Sequence, residues 1–152
     1  MNPPPTCCGA CMSEASDELT VHLSSRLEEI ERLAGVIEAF CARHQLPDAI
    51  AFAFNLSLDE VVTNVISYAF TDVQEHPIDV RLRLEAGVLH AEVSEDGRPF
   101  NPIEVPTPDL DAPIDERRIG GLGIHIVREM MDTLEYAREG DRNVLRLRKR
   151  VS

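Results

Sequence analysis

The chain has 152 residues, with 15 Lys+Arg against 27 Asp+Glu, a formal net charge of −12 and 43% apolar residues. That length suits one domain with a real core and leaves no room for a second enzyme domain. The charge argues against nucleic-acid binding, because neutralising phosphates takes Lys and Arg, and suits a protein that docks on basic surfaces.

Residues 1–15 read as a tail of prolines, small residues and Cys7, Cys8 and Cys11, with no apolar period. No histidine lies close enough to complete a zinc spacing, so exposed thiols on a flexible terminus are the expectation. The start has neither a basic region nor an apolar run, and no secretory signal is expected. No stretch reads as the ~18 apolar residues of a membrane helix. A cytoplasmic protein follows, with one domain over residues 16–152.

Residues 19–23 alternate as an edge or first strand. Ser24 or Ser25 is placed to cap a helix whose apolar stripe is Leu27, Ile30, Leu33, Ile37 and Phe40. That helix should end near 44–46, before Pro47, which suits the start of the next helix. The second helix, about 47–70, is apolar on most sides and is expected to be buried. Asp59, Glu60 and Asn64 interrupt it. Residues 78–84 and 88–93 alternate as a β-hairpin turning at Glu85-Ala86-Gly87. Residues 101–118 carry Pro102, Pro106, Pro108 and Pro113 and several acids. Long loops of this kind serve as lids or stay disordered. Gly120-Gly121-Leu122-Gly123 then leads into a helix with Ile124, Val127, Met130 and Met131 periodic, and strands at 134–138 and 143–151 close the chain. This order predicts an α+β fold: a two-layer α/β sandwich with a mixed, mostly antiparallel sheet and helices on one face.

Three segments carry chemistry. Glu60 and Asn64, four apart on a helix, share a face. A carboxamide oxygen can hold a hard cation, and a carboxylate can take a proton from an attacking hydroxyl. Alone, the pair is more often the mark of a solvated stripe or a helix-packing hydrogen bond. Glu95-Asp96-Gly97 ends a strand with an acid that can accept from an amino group and a glycine that permits close backbone approach; an acidic turn has the same composition. Gly121 and Gly123 open a helix, where free N–H groups and the dipole favour phosphate. No Walker lysine follows them.

In this order the chain resembles the GHKL nucleotide-binding superfamily, and in detail the bacterial anti-sigma-factor serine kinases. The matching segments are 57–64 (Ser-Leu-Asp-Glu-Val-Val-Thr-Asn), 93–102 (Val-Ser-Glu-Asp-Gly-Arg-Pro-Phe-Asn-Pro) and 120–127 (Gly-Gly-Leu-Gly-Ile-His-Ile-Val). The resemblance spans nearly everything but the Cys-bearing tail. It implies the histidine kinase-like ATPase fold, with ATP and Mg2+ as ligands. It implies that Glu60 is the general base and that Asn64 holds Mg2+. Glu95 stands where the family has its adenine-reading Asp, Gly97 lets adenine lie close, and Gly121 and Gly123 cradle phosphates. Residues of about 101–119 form the ATP lid, with Arg117 and Arg118 near its end to contact the γ-phosphate or the substrate. The implied activity is that of an ATP-dependent protein serine/threonine kinase acting as an anti-sigma regulatory factor in a partner-switching circuit. Its partners would be an antagonist protein that it phosphorylates and a sigma factor, and its assembly a homodimer, with no nucleic acid and no membrane.

Glu95 is one methylene longer than the usual Asp, and Asp96 is the other candidate reader. Alternation puts the two on opposite faces, so both cannot read the base. This keeps open a non-catalytic nucleotide-binding module that controls a partner by occupancy. A redox or metal sensor built on Cys7, Cys8 and Cys11 is a third reading. His125 is expected to be structural or solvated. Arg142, Arg146, Arg148, Lys149 and Arg150 alternate as a solvated strand face.

Overall fold

The computed structural model describes residues 17–104 and 119–152. The Cys-bearing tail, most of the lid and Arg117 and Arg118 lie outside the described residues.

The elements run β1 (Glu18–Ser24), α1 (Glu29–Arg43), α2 (Asp48–Tyr68), β2 (Pro77–Glu85), β3 (Val88–Glu95), a single 3-10 turn (Pro102–Glu104), α3 (Ile119–Met130), β4 (Thr133–Glu139) and β5 (Arg142–Arg150). The five strands form a sheet in the order β1-β2-β3-β5-β4. Every neighbouring pair is antiparallel, so the mostly antiparallel sheet is antiparallel throughout. β1 is an edge strand, as its short alternating run suggests.

The β2–β3 hairpin shows the local logic. Ala86 and Gly87 both have positive φ, at 52° and 76°, which is the two-residue turn whose twist matches flanking strands. Glu85 then faces Val88, and the register puts Leu82 opposite Ala91 and Val80 opposite Val93. A period of two sends those residues inward together. They meet Leu145 and Leu147 of β5, Leu33, Ile37 and Phe40 of α1, Phe54, Leu58 and Val62 of α2, and Ile124 and Val127 of α3 in one core. The other sheet face carries Arg81, Arg83, His90, Glu92, Arg146 and Arg148.

Three expectations change. Neither Ser24 nor Ser25 caps α1: Glu28 stands at its N-cap, with no side-chain hydrogen bond there. The serines fasten the turn before it instead. Ser24 N–H donates to Glu29 Oε1 at 2.9 Å, and Ser25 Oγ accepts from His76 N–H at 2.9 Å. Leu27 consequently falls in that turn, outside the stripe, and is 59% exposed. Replacing Leu27 by Ser should shift stability by no more than about 0.5 kcal/mol, read as the free energy of urea unfolding.

The second change concerns α2. Its 21 residues are long and apolar enough, by length and composition, to cross a membrane. Half of its most apolar window is buried in this fold, where Ile50, Phe54, Leu58, Val61 and Val65 line the core. Thirdly, α3 begins at Ile119. Gly120, Gly121 and Gly123 therefore sit inside its first turns rather than ahead of it. Cys41, the cysteine among the described residues, is buried, and burial pushes its thiol pKa up, which makes it a poor nucleophile.

Candidate functional site

One carboxyl-bearing motif lies between α2 and α3, and the other lies at the ends of β3 and β5, beside Val61 and Val65 of α2. Glu60 and Asn64 share one face of α2, a turn apart, as their spacing predicts. Asn64 is buried, at 6% exposure, and Glu60 is half-buried. Opposite Glu60 stands Gly123 of α3. A Cβ at position 123 would lie 3.3 Å from the Glu60 carboxyl carbon and closer still to Oε2. The glycine thus makes the space that the carboxylate fills. Burial pushes the Glu60 pKa up from its ordinary value, and the neighbouring Asp59 charge adds to this. A carboxyl so placed is a better base than a solvated one.

Glu95 ends β3 on the inward parity of Leu89, Ala91 and Val93 and is 2% exposed, while Asp96 is exposed. Glu95 is therefore the acid that faces the interior. Both of its oxygens are engaged. Oε1 accepts from Gly97 N–H at 2.6 Å, and Oε2 accepts from Asn143 Nδ2 at 3.0 Å. Burial raises its pKa, against the pull of those two bonds and of the Arg138 charge.

Asn143, directly opposite Glu95 in the β3–β5 register, is the hub of this corner. Nδ2 also donates to the Arg98 carbonyl at 2.7 Å. Oδ1 accepts from Phe100 N–H at 3.2 Å, from Arg138 at 3.2 Å and from the Tyr136 hydroxyl. Sequence reasoning missed Asn143, Tyr136 and Arg138. The signal was present: Asn143 has the inward parity of Leu145 and Leu147, so it had to be a polar group in the core layer and needed partners.

Gly97 is demanded by packing. A Cβ there would lie 2.9 Å from the Ala69 carbonyl carbon and closer to its oxygen, where Arg98 N–H donates at 2.9 Å. Backbone cannot yield as a side-chain end can. Gly97→Ala should cost about 1–3 kcal/mol, measured by thermal melting. His125 is half-buried beside Glu129, 3.8 Å away on the same helix.

Glu95 and Asn143 border a cavity of about 10 Å3 walled by Val61, Phe100, Pro102 and Tyr136. That is room for about one water at most. The donor set fits the ends of a purine nucleotide: an inward carboxylate for an amino group, and a carboxamide with a carboxylate for a cation on phosphates. The space does not: the segment through Phe100 and Pro102 closes it. That segment is held by Asn143, by Arg98 Nε donating to the Tyr68 carbonyl at 2.7 Å, and by Arg128 donating to the Ile103 carbonyl.

Comparison with known proteins bears on the family and the fold. The family described as the histidine kinase-like ATPase domain matches residues 23–149. A serine/threonine-protein kinase of Bordetella bronchiseptica, BtrW, is 27% identical over 73% of this chain and 78% of its own. The serine-protein kinase RsbW of Listeria monocytogenes is 23% identical over 85% of each. Among solved structures, one of the RsbU and RsbW domains of Rv1364c from Mycobacterium tuberculosis superposes with a TM-score of 0.64 at 14% identity, over 88% of this chain. This chain spans 32% of that longer one. At that identity the likeness concerns the fold.

Proposed function

The chain belongs to the histidine kinase-like ATPase domain family, and from that premise we propose that it is an ATP-dependent protein serine/threonine kinase acting as an anti-sigma regulatory factor. In this reading it works in the cytoplasm, as a homodimer, in a partner-switching circuit. It phosphorylates an antagonist protein and sequesters a sigma factor. The names of the relatives support the kinase class.

The observation that carries the reading is the meeting of Glu60 with Gly123. It brings the candidate base on α2 against the glycine-bearing first turns of α3, where a phosphate would be held. A general base and a phosphate cradle are what transfer to a hydroxyl requires. Glu60 takes the proton from the serine hydroxyl of the antagonist. The hydroxyl oxygen bonds to the γ-phosphorus of ATP as the bond to the β-phosphate oxygen breaks, and ADP leaves. Asn64 is the residue that would hold Mg2+, which when bound neutralises phosphate charge. Gly121 and Gly123 would bring the backbone of the first turns of α3 close to phosphate oxygens, with Gly123 also making room for Glu60. Glu95 would accept from the adenine amino group once Phe100 and Pro102 give way, and Gly97 keeps the chain close at that end. A phosphoryl group on the antagonist adds up to about two negative charges and can break its complex.

A second reading, control by occupancy without transfer, draws on one observation: both oxygens of Glu95 are already engaged inside the protein. One experiment separates the two. Purified protein is mixed with γ-labelled ATP, Mg2+ and candidate antagonist proteins encoded beside its gene. Label on serine supports the kinase. ATP binding with no label on any candidate supports occupancy. No binding of ATP overturns both.

A further inference from the structure

The outer face of the sheet, remote from Glu60 and Asn64, carries a charge arrangement that the proposed function does not use. The register aligns Arg83 of β2, His90 of β3 and Arg148 of β5 directly across three neighbouring strands. Arg83 and Arg148 thus flank His90, one on each side of it. The adjoining row, Arg81–Glu92–Arg146, is built differently. There Glu92 sits between the guanidinium groups and accepts from Arg146 Nε at 2.9 Å. No acid occupies the middle of the first row. Its acids are at the rim, Glu85 beside Arg83 and Glu135 at 2.9 Å from Arg148. Both rim carboxylates are more than half exposed, at 62% and 58%, so solvent screens them and they are free to swing away. The two rows together line a cleft of about 160 Å3. Four arginines thus line one concavity in a chain of net charge −12, with Arg81 also paired to Glu18 and Arg146 to Glu139 at its edges.

We propose that this cleft is a binding site for a tetrahedral oxyanion of the phosphate class, seated on Arg83, His90 and Arg148. Guanidinium forks match phosphate oxygens in pairs, and the row has no carboxylate at its middle position to compete for them. His90 supplies an independent gauge. Burial and the charges of Arg83 and Arg148 hold its imidazole below the ordinary histidine value, with Glu85 pulling the other way. Arg81, Glu92 and Arg146 also line the cleft, and Glu18, Glu135 and Glu139 pair with its arginines. An anion in the cleft reverses the sign of that field.

The test reads the His90 ring proton by NMR in the whole protein, assigned by its loss in His90→Gln. Inorganic phosphate, pyrophosphate and free phosphoserine are titrated separately, with chloride at matched ionic strength as the blank. Expected is a saturable shift of that resonance, and a rise of about one unit or more in its titration midpoint, the effect of an opposite charge within ~4–6 Å. Arg83→Gln with Arg148→Gln should abolish both changes; the far-ultraviolet spectrum checks that the fold persists. Saturation by phosphate and pyrophosphate alone assigns the site to a free anion; saturation by phosphoserine as well assigns it to any phosphomonoester, including one on a partner side chain. A resonance that moves no more than in chloride, or a shift that survives the double variant, overturns the proposal. The readout is local to the outer face, so the outcome is independent of whether Glu60 transfers phosphate.

Discussion

Glu60→Gln is expected to reduce phosphorylation of the antagonist by about 10²–10⁴-fold, the usual worth of a positioned general base, while leaving nucleotide affinity in place. The substitution keeps the size of the side chain and the contact with Gly123, so the two helices should pack as before. What is lost is the ability to take a proton. The pH profile makes the assignment sharper. Burial and the Asp59 charge raise the Glu60 pKa, and the base works only when ionised. Wild-type transfer should therefore fall on acidification through a midpoint above the ordinary glutamate value of 4.5, and the residual activity of the variant should lack that limb. A parallel measurement of nucleotide binding guards against a trivial explanation. If affinity collapses with activity, Glu60 is a structural or binding residue. If transfer persists at wild-type rate, another group is the base.

The contact that supports this role was only half legible beforehand. Spacing alone puts Glu60 and Asn64 on one helical face, because 3.6 residues make a turn. No periodicity says that Gly123, more than sixty positions away, leaves room for the Glu60 carboxylate. That is a tertiary fact, set by how α2 and α3 cross. The strands were easier. Period-two alternation at 78–84 and 88–93 fixes which residues face the core, and the register follows from the two-residue turn at Ala86-Gly87. The start of α1 failed because a serine before an apolar run signals a cap only if the helix begins there. Here the chain first makes a turn that holds Leu27 outside, and Glu29 satisfies the Ser24 amide from within the helix. Glycine likewise signals two things. At Gly97 the reading as room for a ligand meets a nearer demand, the Ala69 carbonyl packed against it. Composition cannot distinguish a glycine that admits a ligand from one that admits the backbone.

Asn143→Ala should be among the most destabilising single changes in the polar part of the molecule. One carboxamide there serves Glu95, the Arg98 carbonyl, the Phe100 amide and the Tyr136 hydroxyl. Truncation strands several of them, each at about 1–3 kcal/mol when no water replaces the partner. A loss of about 3 kcal/mol or more follows, or roughly 6–12 °C in the melting temperature of a chain this size. The pH dependence distinguishes this polar mechanism from loss of packing. Burial holds the Glu95 pKa above its ordinary value, while Asn143 pulls it down. A carboxyl whose folded pKa is raised binds more protons folded than unfolded, so its contribution to stability falls as pH rises from 4.5 through the folded value. Without the Asn143 donor that value climbs further. The gap in stability between wild type and variant should therefore be widest near neutral pH and narrow on acidification, where a protonated Glu95 no longer needs a donor. Melting curves at a series of pH values measure this directly. A gap that stays constant with pH would mean that Asn143 matters for shape alone, and that the Glu95 carboxylate is stabilised by Gly97 and Arg138 without it.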